Sequence, residues 1–179
     1  MEFNNDFKKQ LIKQAPEAVD AFFDAVGDKA YSYAYLFFSN RLIAEQAVRE
    51  SFAVFLNKTA MLLKNASVLA AYFAVLKAWC DKKATEDKKE GKETLYDISG
   101  FNKKNQISEA LVNVLSQLNK KERSLFIFAD VISLPRSVIC EIYDAEEDDL
   151  STAVFLLREK VRESLNEIGD FSVNGGDDK

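Results

Sequence analysis

The chain has 179 residues, of which 47% are hydrophobic and 30% charged, and its formal net charge is −5. This length allows one domain or two small ones, and the composition is that of a globular protein with a packed core. Because the chain contains no histidine, it lacks the usual general base, the Ser-His and Cys-His nucleophile pairs and the commonest metal ligand. We therefore expect a non-enzymatic protein without a metal or other cofactor.

The N-terminal half predicts a bundle of helices, because Ala, Leu, Glu and Lys dominate stretches that hold little Gly or Pro. Apolar residues at helical spacing predict a first helix over about 3–26, stopped by Gly27, and a second helix from Asp28. Asn40 is the predicted N-cap of a third helix, and Ser67 that of a fourth helix that is apolar on most sides.

No segment has the length that a membrane span requires. The longest apolar run, Val68 to Leu76, has nine residues, whereas a span needs about 20. The N-terminal residues also lack an apolar core of signal-peptide length. Cys80 and Cys140 lie in apolar helical patterns, where we expect reduced core residues rather than a disulfide or a metal pair. The sequence therefore predicts a cytoplasmic protein without membrane insertion.

A polar stretch from Asp81 to Gln106 separates two apolar halves. It predicts a frayed helix end followed by a flexible linker, and its nearly balanced charge favours a solvated tether over a nucleic-acid-binding patch. Four short helical patterns follow, the third of them beginning at Pro135, a natural first helical position. We predict an all-α fold in which two small helical domains are joined by the linker and followed by a disordered tail. The predicted boundaries are 1–88, 89–105, 106–169 and 170–179.

The last two helical patterns have the spacing of a helix-turn-helix motif, although a generic helical hairpin has it too. The second of them opens on four consecutive acids, of which Glu147 fits a capping box with Asp144. Its apolar seam repeats at four and three residues and consists of Leu150, Val154, Leu157, Val161 and Leu165. Residues 106–179 as a whole carry 8 Lys and Arg against 15 Asp and Glu, a net charge of −7, whereas residues 1–105 have a net charge of +2. An acidic half has the wrong sign for binding phosphate, which supplies most non-specific DNA affinity.

Three stretches of the sequence match a family pattern. In LSQLNKKERSLFIFADVISLPRSVICEIY the matching residues are Leu115, Leu118, Glu122, Arg123, Phe126, Leu134, Ile139, Glu141 and Ile142. In SNRLIAEQAVRESFAVFL they are Ala44, Glu45, Val48, Glu50 and Phe52, and in AAYFAVLKAWCDKK they are Tyr72 and Phe73. On these residues the chain resembles the bacterial RNA polymerase sigma factors of the extracytoplasmic-function group over about 18–168. The order of the two domains, the linker and the length agree with the same family.

The resemblance implies a role in transcription initiation, with core RNA polymerase, promoter DNA and an anti-sigma factor as partners. In the family the third helix docks on the polymerase clamp. The corresponding candidate polymerase-binding residues are Glu45, Gln46, Arg49 and Glu50. The fourth helix captures the non-template strand of the minus-ten element, and the C-terminal recognition helix reads the minus-thirty-five element in the major groove. The corresponding candidate DNA-binding residues are Lys77, Trp79, Lys82, Lys83, Arg136, Ser151, Thr152, Phe155 and Arg158.

Several of these positions depart from the family pattern. Gln46 and Arg49 stand where the clamp-binding helix usually carries Asp and Gln, and Trp79 and Lys83 replace an Asn and an Asp. An exposed Trp79 would stack on a base, whereas a Trp at helical spacing is also typical of a core. In the recognition helix the usual basic positions fall on Ser151, Ala153 and Leu156, and only Arg158 keeps its charge.

Three interpretations follow. The chain directs RNA polymerase to promoters, or it is a degenerate sigma-like scaffold that acts as a protein-interaction module, binding an anti-sigma factor or polymerase without reading promoter DNA. The third interpretation is an unrelated helical bundle. The scaffold hypothesis predicts that Ala153, Phe155 and Leu156 are buried against the first domain or a partner. The promoter hypothesis predicts that these residues are exposed beside Arg158.

Overall fold

The computed structural model describes residues 3–64, 66–90 and 106–168. Within these ranges the chain is helical and contains no β-strand, so the predicted all-α class is confirmed. The helices before the second gap are α1 (Asn5–Ile12), α2 (Pro16–Phe38), α3 (Arg41–Asn57), α4 (Thr59–Leu62) and α5 (Val68–Lys89). Those after it are α6 (Gln106–Gln117), α7 (Lys120–Phe126), α8 (Arg136–Tyr143) and α9 (Glu147–Ile168), and a π-helical turn (Ile127–Val131) continues α7. The predicted linker at 89–105 and tail at 170–179 lie almost entirely outside the described residues.

Two predicted helix starts are confirmed. The Asn40 side chain accepts a hydrogen bond from the backbone N–H of Ile43 at 3.0 Å and caps α3. The Ser67 hydroxyl accepts one from the backbone N–H of Ala70 at 3.3 Å and caps α5. Such caps satisfy backbone donors that the first turn of a helix leaves without a partner. Pro135, predicted as the first helical residue, is instead the N-cap of α8.

The predicted break at Gly27 is wrong, because α2 continues through it as one helix. Buried residues at helical spacing lie on both sides of the glycine, including Val26 and Ala30, so one apolar face extends through the whole helix. A glycine within a helix costs about 1 kcal/mol, which packing along such a face offsets. The break comes earlier, where Gln14 has a left-handed φ of 54° just before Pro16 begins α2.

The predicted capping box between Asp144 and Glu147 is also wrong. Asp144 is the C-cap of α8, with a left-handed φ of 48°, and its backbone N–H donates to the carbonyl of Cys140. Asp tolerates this conformation better than most residues. Helix α9 begins only at Glu147, so Asp144 ends one helix rather than starting the next. The acids of the first turn of α9 still lie where the helix dipole favours negative charge.

The two halves of the chain pack on each other through a layer of aromatic rings. We call α1–α5 the N-terminal unit and α6–α9 the C-terminal unit. Phe128, in the π-helical turn, stacks on Tyr33 of α2, with ring centroids 4.4 Å apart and planes at 8°. The same ring contacts Phe73 of α5 at 5.8 Å and Tyr143 of α8 at 6.4 Å. We call these four residues the Phe128 layer; three of them are buried and Tyr143 is half-buried. Both units therefore contribute to one continuous core.

Polar contacts surround the Phe128 layer. The hydroxyl groups of Tyr33 and Ser124 are 2.8 Å apart and hydrogen bonded, and burial raises the pKa of Tyr33 well above its usual value. Arg123 donates to the backbone carbonyl of Phe37 at 2.8 Å. The Glu141 carboxylate accepts from the backbone N–H of Ser67 at 2.7 Å, at the N-terminus of α5, where the helix dipole favours an anion. These bonds give the interface between the units a defined geometry as well as apolar contact.

Candidate functional site

The candidate polymerase-binding residues of α3 divide between two surfaces. Glu45 and Arg49 are exposed and border a groove of about 770 Å³ between α2 and α3. Phe23, Tyr31 and Phe52 give this groove an apolar lining, and Phe23 is 44% exposed although it is a large aromatic residue. We call it the α2–α3 groove. An apolar groove with charged residues at its edge is the kind of surface that accepts an amphipathic helix.

The other two residues, Gln46 and Glu50, face α5. Glu50 accepts hydrogen bonds from Gln46 at 2.8 Å and from the indole N–H of Trp79 at 2.9 Å, and these bonds lower its pKa. The Trp79 ring is half-buried and meets Phe38 edge-to-face at 6.3 Å. Trp79 therefore joins α5 to α3 as a packed residue and is not presented as an open platform for a base.

The three lysines predicted to bind DNA from α5 each have an acidic partner one turn later. Lys77 Nζ lies 2.7 Å from Asp81 and 5.4 Å from the ring centroid of Tyr143, so it is held between the two units. Lys83 Nζ lies 2.8 Å from Asp87, and its side chain is 29% exposed. Lys82 is the most accessible of the three, with a side chain 78% exposed.

Arg136, Ser151 and Thr152 are engaged within the pair of helices α8 and α9. The Arg136 guanidinium donates to the Ser151 hydroxyl at 2.9 Å and lies 3.7 Å from the Glu147 carboxylate. Ser151 in turn donates to the backbone carbonyl of Glu147 at 2.6 Å, and Thr152 to that of Asp148 at 3.0 Å. These bonds fix α8 against the start of α9 and direct both hydroxyl protons back to the helix.

Arg158 is paired with an acid of its own unit. Its guanidinium donates to Asp130 at 2.8 Å, and this hydrogen bond raises the pKa of Arg158. Ala153 is exposed, and the exposed fractions of Phe155 and Leu156 are 62% and 61%. The promoter hypothesis predicts this exposure beside Arg158. Burial against the N-terminal unit, one of the two arrangements that the scaffold hypothesis allows, is not observed.

Sequence reasoning missed the acids that hold the cations of α9. Asp130 pairs with Arg158, and Glu122, which also completes a capping box with Asn119, pairs with Lys160 at 2.8 Å. Asp130 carried a signal, because it is the one charged residue in the apolar stretch SLFIFADVI. A lone charge in such a stretch usually has a partner. The sequence does not indicate which cation that partner is.

Among the described residues, no group of three or more His, Cys, Asp or Glu is placed to hold a metal ion. None of the helices within the described ranges is long and apolar enough to cross a membrane. Both cysteines are free thiols; Cys80 is buried, as expected of a core residue, whereas Cys140 is half-buried.

No protein-family model and no curated protein sequence matches the chain. A solved structure does match in fold, that of CnrH in complex with the cytosolic domain of CnrY, with a TM-score of 0.74 and 10% sequence identity. CnrH is a sigma factor of the extracytoplasmic-function group, and CnrY is its anti-sigma factor. The chain has an extracytoplasmic-function sigma-factor fold. The match covers 94% of this chain and 100% of the CnrH chain, so the fold includes both units.

Proposed function

We propose that the chain is a sigma-factor-like protein that binds core RNA polymerase and directs it to promoters in transcription initiation. The observation that carries this proposal is the fold shared with CnrH over both units and over the full length of the CnrH chain. The residues that match the sigma-factor sequence pattern support it independently, since that pattern does not depend on the fold. The activity is one of binding, and it would take place in the cytoplasm, where polymerase is found.

The α2–α3 groove is the proposed contact with polymerase. Arg49 and Glu45 are exposed at its edge, and the apolar side chains of Phe23 and Phe52 lie between the helices. A helix of the polymerase would bury its apolar side chains in the groove and place charged ones against Arg49 and Glu45. Arg49 takes the central position here, because it is the only exposed cation among the groove residues of the described chain.

The proposed contact with promoter DNA uses α5 and the start of α8. Lys82 and Arg136 are more than half exposed, whereas Lys77 is held between Asp81 and Tyr143 of the two packed units. A DNA strand that is to reach Lys77 therefore requires α8 to move away from α5. We propose that polymerase binding separates the units and opens this side of α5.

Reconstitution with core RNA polymerase tests the proposal. The wild-type chain should co-purify with core enzyme and support promoter-dependent transcription from genomic DNA fragments of the source organism. Arg49→Glu should weaken polymerase binding about tenfold, because it places a repelling charge in a largely desolvated contact. Lys9→Glu, an exposed charge reversal on α1, is the matched control and should leave binding unchanged. A wild-type chain that fails to bind core polymerase would contradict the proposal.

A second function is favoured by the chemistry of α9. The chain would bind polymerase or an anti-sigma factor as a protein-interaction module without reading promoter DNA, because the cations of α9 are paired with acids and its exposed surface is apolar and acidic. CnrH was solved with the cytosolic domain of CnrY, and we propose a comparable protein partner for this chain. Polymerase binding without an open complex would favour this second function over the first.

A further inference from the structure

One side of α9 faces away from the rest of the molecule. The buried seam of the helix consists of Leu150, Val154, Leu157 and Val161. At 100° per residue, the side opposite this seam is formed by Asp148, Thr152, Phe155, Leu156, Glu159 and Glu163. We call it the outward face of α9. All six residues are at least partly exposed, and no described residue of either unit covers Phe155 or Leu156.

The outward face combines two large apolar side chains with negative charge. Along the helix axis Phe155 and Leu156 lie between Asp148 and the two glutamates Glu159 and Glu163, and around the axis they stand about 100° apart, at the two edges of the face. Two largely exposed hydrophobic side chains at successive positions of a regular helix point in different directions, and each leaves apolar surface that water solvates poorly. Exposed apolar side chains interspersed with charge are typical of a surface that binds another protein.

The cations of α9 offset only one of the acids on the outward face. Arg158 pairs with Asp130, Lys160 with Glu122, and Arg162 with Glu159. The first two pairs draw their cations toward α7 and the π-helical turn, away from the outward face. The acids of the outward face therefore include Asp148 and Glu163, for which no cationic partner is seen among the described residues. This field repels a phosphate backbone and attracts lysine or arginine side chains.

We infer that the outward face of α9 binds a basic amphipathic helix of a partner protein. Leucine-sized side chains of that helix would cover Phe155 and Leu156, and its lysines or arginines would meet Asp148 and Glu163. The outward face is 16 residues long, which corresponds to about 24 Å of helix and a partner helix of about four turns. The inference goes beyond the proposed function, since it assigns the recognition helix to a protein whether or not the chain binds polymerase.

The DNA alternative fits the same residues less well. An apolar side chain can contact a thymine methyl group, but Phe155 and Leu156 donate no hydrogen bond to a base edge or a phosphate. The hydroxyl of Thr152, one turn before them, already donates to the backbone of its own helix. A duplex would therefore leave the acids repelled and gain little from the apolar pair.

Titration of the full-length chain with designed peptides tests the inference. The probe is a helical peptide of about 14 residues, close to four turns, with leucines at a spacing of three and four and lysines elsewhere. Its control has glutamate in place of every lysine. In spectra of the ¹⁵N-labelled chain, the lysine peptide should shift the amide signals between Asp148 and Glu163. The glutamate peptide should shift none of them.

Variants of the chain distinguish specific binding at the outward face from non-specific binding of the peptide to other exposed apolar residues. Phe155→Ser with Leu156→Ser should weaken the lysine peptide about tenfold or more, which is a loss that two well-buried apolar side chains can produce. Leu42→Ser is the matched control, since Leu42 is 75% exposed on α3, and it should leave the affinity unchanged. Asp148→Asn with Glu163→Gln should weaken binding severalfold and reduce its dependence on salt.

Several results would overturn the inference. Peptide-induced shifts that fall outside α9 contradict it, and so does a Leu42→Ser variant that weakens the peptide as much as the α9 variant does. Binding of duplex DNA to the same amides at the same salt concentration also contradicts it. Concentration-dependent self-association that Phe155→Ser abolishes would assign the face to a second copy of the chain instead. None of these measurements contains polymerase, so their failure is distinct from failure of the proposed function.

Discussion

The Phe128 layer and the outward face of α9 belong to the same C-terminal unit, yet they use apolar side chains in opposite ways. Phe128 is fully buried against rings of the N-terminal unit, whereas Phe155 is 62% exposed and touches neither unit's core. Both stand in helical segments with regular apolar spacing. The difference shows that the C-terminal unit has one surface committed to holding the two units together and another that contributes little to the fold.

This contrast matters for function, because the Phe128 layer contributes to stability and the outward face of α9 does not. Substitutions in the Phe128 layer act on stability and on the arrangement of the units. Substitutions on the outward face are expected to act on binding to a partner protein. Each of the following changes is expected to affect one surface and spare the other, in decreasing order of effect.

Phe128→Ala should lower the free energy of unfolding by about 3–5 kcal/mol, because it leaves a cavity among three aromatic rings of both units. Urea denaturation followed by circular dichroism measures the loss. Phe155→Ala is the matched control, with the same change at an exposed position. Equal losses for the two variants would mean that the contrast between the surfaces is false.

High pH should destabilise the chain through its buried tyrosines. Burial raises the pKa of Tyr33 and Tyr143, and it raises that of Tyr72 to about 12. A raised pKa means that the folded state favours the neutral phenol, so this contribution is complete below the unfolded value of about 10 and is lost as pH rises from there through the folded values. If the pKa of a tyrosine is one pH unit higher in the folded state than in the unfolded state, the difference corresponds to about 1.4 kcal/mol of stability.

Denaturant unfolding at a series of pH values from about 9 to 12 checks the alkaline loss. Tyr33→Phe removes the ionisable group from the Phe128 layer and should flatten the decline. A decline of the same slope in Tyr33→Phe and in the wild type would show that Tyr33 is not held neutral by the packed units.

Phe155→Ser should change the free energy of unfolding by no more than about 0.5 kcal/mol, because an exposed side chain away from caps and ion pairs contributes little. Thermal unfolding measures this quantity. A loss above about 2 kcal/mol would indicate that Phe155 is buried in the free chain, which contradicts the outward face as described.

The sequence predicted the helical class, the caps at Asn40 and Ser67 and the buried seam of α9, because these depend on local spacing and on single residues. It did not predict the Phe128 layer. Tyr33 and Ser124, which are hydrogen bonded there, are 91 residues apart, and no local pattern relates them. The break wrongly placed at Gly27 shows the reverse effect, in which packing along a whole helix outweighs a local propensity.

For the candidate site, too, the sequence identified single residues but not the contacts between distant segments. The resemblance to sigma factors named Glu45 and Arg49 on α3, and Phe155 and Arg158 on α9, as candidates, and all four are exposed in the structure. It gave no information on pairs that join distant segments, such as Glu50 with Trp79 or Arg158 with Asp130. These pairs decide whether a side chain is available to a partner. The sequence therefore identified the candidate residues, whereas only the structure shows which of their side chains are already bonded within the chain.

Photo-crosslinking from position 155 tests the central claim, that a sigma-factor fold here presents a protein-binding face on α9. Phe155 is replaced by benzoylphenylalanine, and the chain is irradiated in a mixture of the lysine peptide and duplex genomic DNA of the source organism. We predict a covalent adduct with the peptide and none with DNA, and the adduct should disappear when the glutamate peptide replaces the lysine peptide. Adducts with DNA in the presence of the lysine peptide would contradict the claim.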